Sequence, residues 1–160
     1  LNQRGNTRRG TDLEDDDTPV SVRLKRGERV SLVAVRFTGS NSYATAVVGE
    51  SHYQRHLRKL VGPRSAEGVR AKFIAFLVPE PDNQFDENAV MVLIDGDQVG
   101  YLMAEDAIDF LSGMEEIERP GHVAAVDAVV SGGFQKKNGS WAHYGVWLDI
   151  TLPFDLDEVQ

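Results

Sequence analysis

The sequence predicts a mainly β protein with two short helices (α+β), folded as an OB-like or SH3-like barrel of six strands. Three observations predict it. Short apolar runs recur along the chain, separated by turns rich in Gly, Asn, Asp and Pro. Only two segments show helical spacing, and Gly62-Pro63 and Pro120-Gly121 stop them. Neighbouring apolar runs are joined by short turn signals, as antiparallel pairing requires.

Residues 1–19 read as a disordered tail: Arg4, Arg8 and Arg9 precede the acidic run from Asp12 to Asp17, and little apolar surface is available to offset ordering entropy. Residues 20–45 form an N-terminal β extension. In it Val20–Leu24 and Val30–Phe37 make a hairpin about Lys25-Arg26-Gly27-Glu28 that extends or caps the barrel. A strand follows at 43–49. Ser51 stands in capping-box register with Gln54 and predicts a helix start. Tyr53, Leu57, Leu60 and Val61 then share one helical face, and Arg55, Arg58 and Lys59 the other.

Strands are predicted at 70–78, 89–94 and 98–102, the last two joined by Asp95-Gly96-Asp97. A second helix over 104–117 carries the stripe Ala107, Ile108, Leu111, Met114 and Ile117, with acids on its other face. Acid at its start suits the helix dipole, whereas acid at its end opposes it. A closing hairpin pairs 123–130 with 144–152 through a connection containing Asn138-Gly139. Residues 153–160 form an acidic end.

The net charge of −8 hides an asymmetry. Residues 1–80 hold 14 basic and 9 acidic side chains, residues 81–160 hold 3 and 16. A local basic face is compatible with this total, and so are two ordinary solvated surfaces. Absence of cysteine excludes disulfides, thiolate zinc sites and a cysteine nucleophile. No apolar run approaches a membrane span, so an intracellular, cytoplasmic protein without membrane partners is expected.

Catalytic patterns are missing. The sequence has no Gly-x-Ser-x-Gly elbow and no phosphate-binding Walker loop. His52 and His56 share helical spacing, but a third zinc ligand has no recognisable place. Glu80, Asp82, Asp86 and Glu87 raise a metal-dependent nuclease, yet the strand that follows carries no charge and no assisting Lys. Asp86 and Asn88 are better explained as side chains that bond neighbouring amides and tighten the loop. No cofactor or metal is expected.

Three linked motifs remain. They are Val47-Val48-Gly49 followed by Tyr53, then Glu80-Pro81 leading through Asn83, Phe85-Asp86 and Asn88-Ala89-Val90 to Val92, and Gly96 leading to Val99-Gly100-Tyr101-Leu102. Together they resemble the HIRAN domain over residues 46–152. That resemblance implies a small OB-like barrel that binds DNA ends, often beside helicase or nuclease domains. Carried over residue by residue, it implies a nucleic-acid-binding set of Ser51, His52, Tyr53, Asn83, Asp86, Tyr101 and Phe134. Members that bind DNA ends have Arg-Tyr-Tyr where this chain has Ser51-His52-Tyr53, and basic residues in place of Met103-Ala104.

The residues alone point the same way. Exposed aromatics stack bases and cations take phosphates. Tyr53, Tyr101, Phe134, Trp141 and Tyr144 are the aromatic candidates, and Arg55, Arg58, Lys59, Lys136 and Lys137 the basic ones. Tyr53 fits a core position and a binding position equally. Trp141 and Trp147 are expected in or against the sheet. The expected function is non-enzymatic binding of single-stranded DNA; the resemblance implies free 3′ ends as the target and a helicase or nuclease as a partner protein. The alternative is a protein-interaction module that uses its acidic face.

Overall fold

The structure, a computed structural model, describes residues 12–23 and 29–154. Strands β1 (Asp12–Arg23), β2 (Arg29–Thr38) and β3 (Thr45–Val48) lead to a 3₁₀ turn over Glu50–Tyr53 and helix α1 (Gln54–Val61). Next come β4 (Val69–Pro79), β5 (Val90–Ile94), β6 (Asp97–Leu102) and helix α2 (Ala104–Glu116). The order closes with β7 (Val123–Gly132) and β8 (Gly145–Leu148).

Six of these strands make a closed antiparallel barrel in the order β7-β4-β5-β6-β3-β8, and a β7–β8 ladder completes the ring. Closure leaves each barrel strand with one face toward a common core. That core holds Leu77, Val92, Val99, Phe110, Val126, Val146 and Leu148. All five residues of β5 are buried, because a second cluster around Val78, Met91 and Leu93 covers the outer face, with Phe76 and Tyr101 packed on it. Both faces covered explains why this strand is an unbroken apolar run.

β1 and β2 extend the sheet beyond the barrel. β1 pairs antiparallel with β2, and β2 runs parallel to β7 over Ala34–Arg36. On that edge of β7, β2 takes residues 123–125 and β8 takes residues 128–131. Between them Arg36 donates to the Asp127 carboxylate at 2.8 Å, and the Asp149 N–H donates to the Asp127 carbonyl at 2.8 Å. Val35 and Phe37 enter the same core as the barrel, where Phe37 stacks on Phe154 with centroids 4.7 Å apart.

Several expectations are corrected. Residues 12–19, expected in a tail, belong to β1, since the backbone of β2 offers them a ladder, with a bulge between Glu14 and Asp17. Residues 1–11, residues 24–28 where the hairpin turn is expected, and residues 155–160 lie outside the described residues. Ser51 does not cap α1. Gly49, at φ 74°, starts the 3₁₀ turn earlier, and the amide of Gln54 is bonded to Glu50 and Tyr144 instead. In α2 the buried face is Ala107, Phe110, Gly113 and Met114, while Ile108 is exposed. Leu111 and Ile117 pack on the core as well, so of the expected stripe only Ile108 is displaced; Phe110 is buried instead because Phe154 packs edge-on against it and fills the space a side chain at Gly113 would need.

Candidate nucleic-acid interface

The loop between β4 and β5 is built by its own polar side chains. The Glu80 N–H donates to the Ala89 carbonyl at 2.8 Å and closes its base. The Asn83 side-chain oxygen accepts from the N–H groups of Phe85 and Asp86, at 2.9 and 3.0 Å. Asp86 in turn accepts from the Asn88 N–H at 2.9 Å. These are the Asx-type bonds that let Asn and Asp replace a backbone partner. Asn83 and Asp86 therefore shape the loop.

Tyr101 faces this loop. Its position follows from β6, where Val92 pairs with Gly100 but Leu93 pairs with Gln98, a bulge that leaves Val99 unopposed. Gly100 then approaches β3 so closely that an added Cβ would stand 2.5 Å from Val47 and from the Val48 carbonyl. Only glycine permits that contact. The half-buried Tyr101 ring is held at its far end, where the hydroxyl donates to Glu80 Oε1 at 3.0 Å. The Asn83 amide donates to the same oxygen at 2.5 Å.

Between the loop, Tyr101 and the start of α2 lies an open cavity of about 590 Å³, lined also by Asp82, Phe85 and Ala104. Phe85 is 96% exposed. The sequence masks this ring, because it sits inside a motif whose neighbours explain the turn. Its signal was an aromatic in a stretch with no apolar periodicity. The cavity lining carries three carboxylates and two amides but no cation.

The other expected residues are distributed unevenly. Register places Val48 opposite Tyr101, so the turn carrying Ser51, His52 and Tyr53 begins beside the end of β6. Ser51 and His52 are exposed and Tyr53 is half-buried. Arg55, Arg58 and Lys59 are exposed on α1, and among the described residues they make no ion pair. None of the three lines the Tyr101 cavity. Lys59 lines a different one with Ile94 and Asp95, at the other end of β5 from the loop. Phe134 is also elsewhere, in a cavity with Arg70, His143 and Trp147.

Tyr144 is not available to a ligand. It is 2% exposed, and its ring packs against Gly133. Trp141 is half-buried, with the Arg64 guanidinium 5.6 Å above its ring. His56 Nε2 lies 2.9 Å from the Ile94 carbonyl, a bond that fixes the ring against β5. Among the described residues no group of three His, Asp or Glu is placed to hold a metal ion, and no helix is long and apolar enough to cross a membrane. Comparison with protein-family models, curated proteins and solved structures finds no match.

Proposed function

We propose that this protein is a non-enzymatic, HIRAN-like module that binds single-stranded DNA and receives a free 3′ end in the Tyr101 cavity. The observation that carries this reading is Phe85, an aromatic ring left almost wholly in water at the rim of that cavity. Such a ring adds nothing to the core, whereas a base stacked on it removes apolar area from water. Tyr101 offers a second ring in the same space, and Asn83 and Asp82 offer hydrogen-bonding groups to a sugar hydroxyl.

Charge supports a terminus rather than an internal nucleotide. A cavity with carboxylates and no cation repels phosphate, so the group that enters is one ending in a neutral hydroxyl. The preceding phosphates go to Arg55 and Arg58, with Ser51, His52 and Tyr53 between them and the cavity. A helicase or nuclease partner accords with the resemblance to HIRAN domains.

Fluorescence anisotropy tests this with labelled oligothymidylates ending in a 3′-hydroxyl or a 3′-phosphate, at two salt concentrations. The hydroxyl end is expected to bind several-fold more tightly. Equal binding of single strand and duplex at low salt overturns the reading. One observation favours a second reading: Met103, just before α2, and Ile108 within it are exposed along a helix that also exposes Glu105, Glu115 and Glu116, as on a surface that docks a basic protein.

A further inference from the structure

The outer wall formed by β4, β7 and β8 lies apart from the Tyr101 cavity and has a different character. Along β4 the exposed residues alternate as Arg70, Lys72 and Ile74. Register sets Lys72 opposite Val129 and Val129 opposite Trp147, and on the next level Arg70 opposite Ser131 and Ser131 opposite Gly145. Residues directly opposite each other share a face, so the two cations and the indole project from one surface.

Trp147 is laid flat on this surface. An added Cβ on Gly145 would stand 2.5 Å from its ring, so the indole covers Gly145 and reaches toward the Arg70 level. There it borders a cavity of about 380 Å³ with Arg70, Phe134 and His143; Glu67 is the one carboxylate in that lining. Trp147 is 37% exposed, high for the largest side chain in a barrel wall.

The two cations are positioned by Tyr43. The Arg70 guanidinium and the Lys72 ammonium each lie 5.9 Å from the centre of its ring. Tyr43 itself sits at φ 47°, a left-handed conformation that a bulky side chain avoids. Its N–H and that of Asn41 donate to the carboxylate of Asp149, at 3.2 and 3.0 Å, and Asp149 is 1% exposed. Strain of this kind persists only where the surroundings impose it. The nearby acids are occupied: Asp149 by backbone amides and Asp127 by Arg36. Arg70 and Lys72 make no ion pair among the described residues.

We infer that this wall is a second contact surface for single-stranded DNA, with Trp147 as a stacking platform and Arg70 and Lys72 as phosphate contacts. Its ligand rests on the single-strand reading above; its geometry does not. Two same-face residues on a strand are roughly 6.7 Å apart, comparable to successive phosphates of an extended strand. Interleaved cations and rings on an open surface are the pattern that holds single strands without reading sequence.

The test compares dT4 and dT20, each with a free 3′-hydroxyl, on the full chain. The double variant Arg70→Ala/Lys72→Ala alters exposed side chains only. It is expected to bind dT20 about tenfold more weakly at low salt, with a salt slope shallower by roughly 1.4, two contacts at about 0.7 each, and to bind dT4 as the wild type does. Trp147→Leu, checked by its melting curve, is expected to weaken dT20 at low and high salt alike. Unchanged dT20 affinity and slope in the double variant overturn the inference and leave the cavity reading standing. If instead Tyr101→Ala and a 3′-phosphate change nothing while the double variant loses dT20, the wall stands and the cavity reading falls. An equal loss on blunt duplex reduces the wall to a nonspecific basic patch and overturns it.

Discussion

The side-chain amide of Gln54 is hydrogen-bonded to both backbone groups of Tyr144: its Oε1 accepts from the Tyr144 N–H at 2.8 Å, and its Nε2 donates to the Tyr144 carbonyl at 2.9 Å. In effect a glutamine side chain continues the β3–β8 ladder after β3 has turned into the 3₁₀ segment. Gln54→Ala leaves two backbone groups beside a buried ring without partners, at about 1–3 kcal/mol each. A loss of 2 kcal/mol or more is expected in urea denaturation. Gln54→Glu keeps the acceptor but loses the donor, so its loss should be intermediate.

Phe85→Ala separates binding from stability. The ring is in water, so the unfolding free energy should hold within about 0.5 kcal/mol of wild type. Single-strand affinity should drop, by up to the 1–3 kcal/mol of one stacked base. Unaltered affinity for a free 3′ end would remove Phe85 from the interface.

Tyr101→Ala is expected to weaken single-strand binding about tenfold. Tyr101→Phe keeps the ring but loses the hydroxyl's bond to Glu80, and should fall between the two. A drop in melting temperature with unchanged binding per folded molecule would make Tyr101 a packing residue.

Arg58→Ala should cost affinity mainly at low salt and flatten the salt slope by roughly 0.7, as loss of one phosphate contact does. Titrations at three salt concentrations measure this. A loss independent of salt would assign Arg58 some other role.

Asp106 gives a pH signature. Burial first, then the charges of Asp109 and Glu105, hold its carboxyl above the ordinary carboxylate value. A raised folded pKa means that the ionised form costs stability at neutral pH, and that the cost fades as pH falls through the folded pKa. Asp106→Asn should therefore be more stable than wild type at pH 7. The gain should be only a few tenths of a kcal/mol, since the start of α2 favours negative charge. The two proteins should converge below about pH 4. Chemical denaturation at pH 7 and pH 4 reads both.

The barrel was legible because its strands are short apolar runs bounded by strong turn residues, and the bulge at Gly100 was marked by the glycine itself. Most of the stripe of α2 was legible, but the burial of Phe110 in place of Ile108 was not, because Phe154, distant in sequence, packs on that side of the helix. The pairing of residues 12–19 was hidden by their charge, which says nothing about a neighbour's backbone. Phe85 was overlooked because polar neighbours dominate its motif, and the outer wall because Tyr43, Arg70 and Trp147 come from three separate segments. Adjacency across strands is a property of register, which local pattern does not reveal.

The division of one edge of β7 between β2 and β8 has a bearing on how the molecule behaves in a crowded solution. β8 is only four residues long and leaves Val123–Ala125 to be covered by the hairpin. Without β2, that stretch would present unpaired amides and carbonyls beside buried apolar side chains, a template on which a second copy could add its own strand. The hairpin thus serves as a guard rail, and a fragment beginning at residue 39, which removes β1 and β2 but keeps all of β3, should self-associate more than the longer chain does.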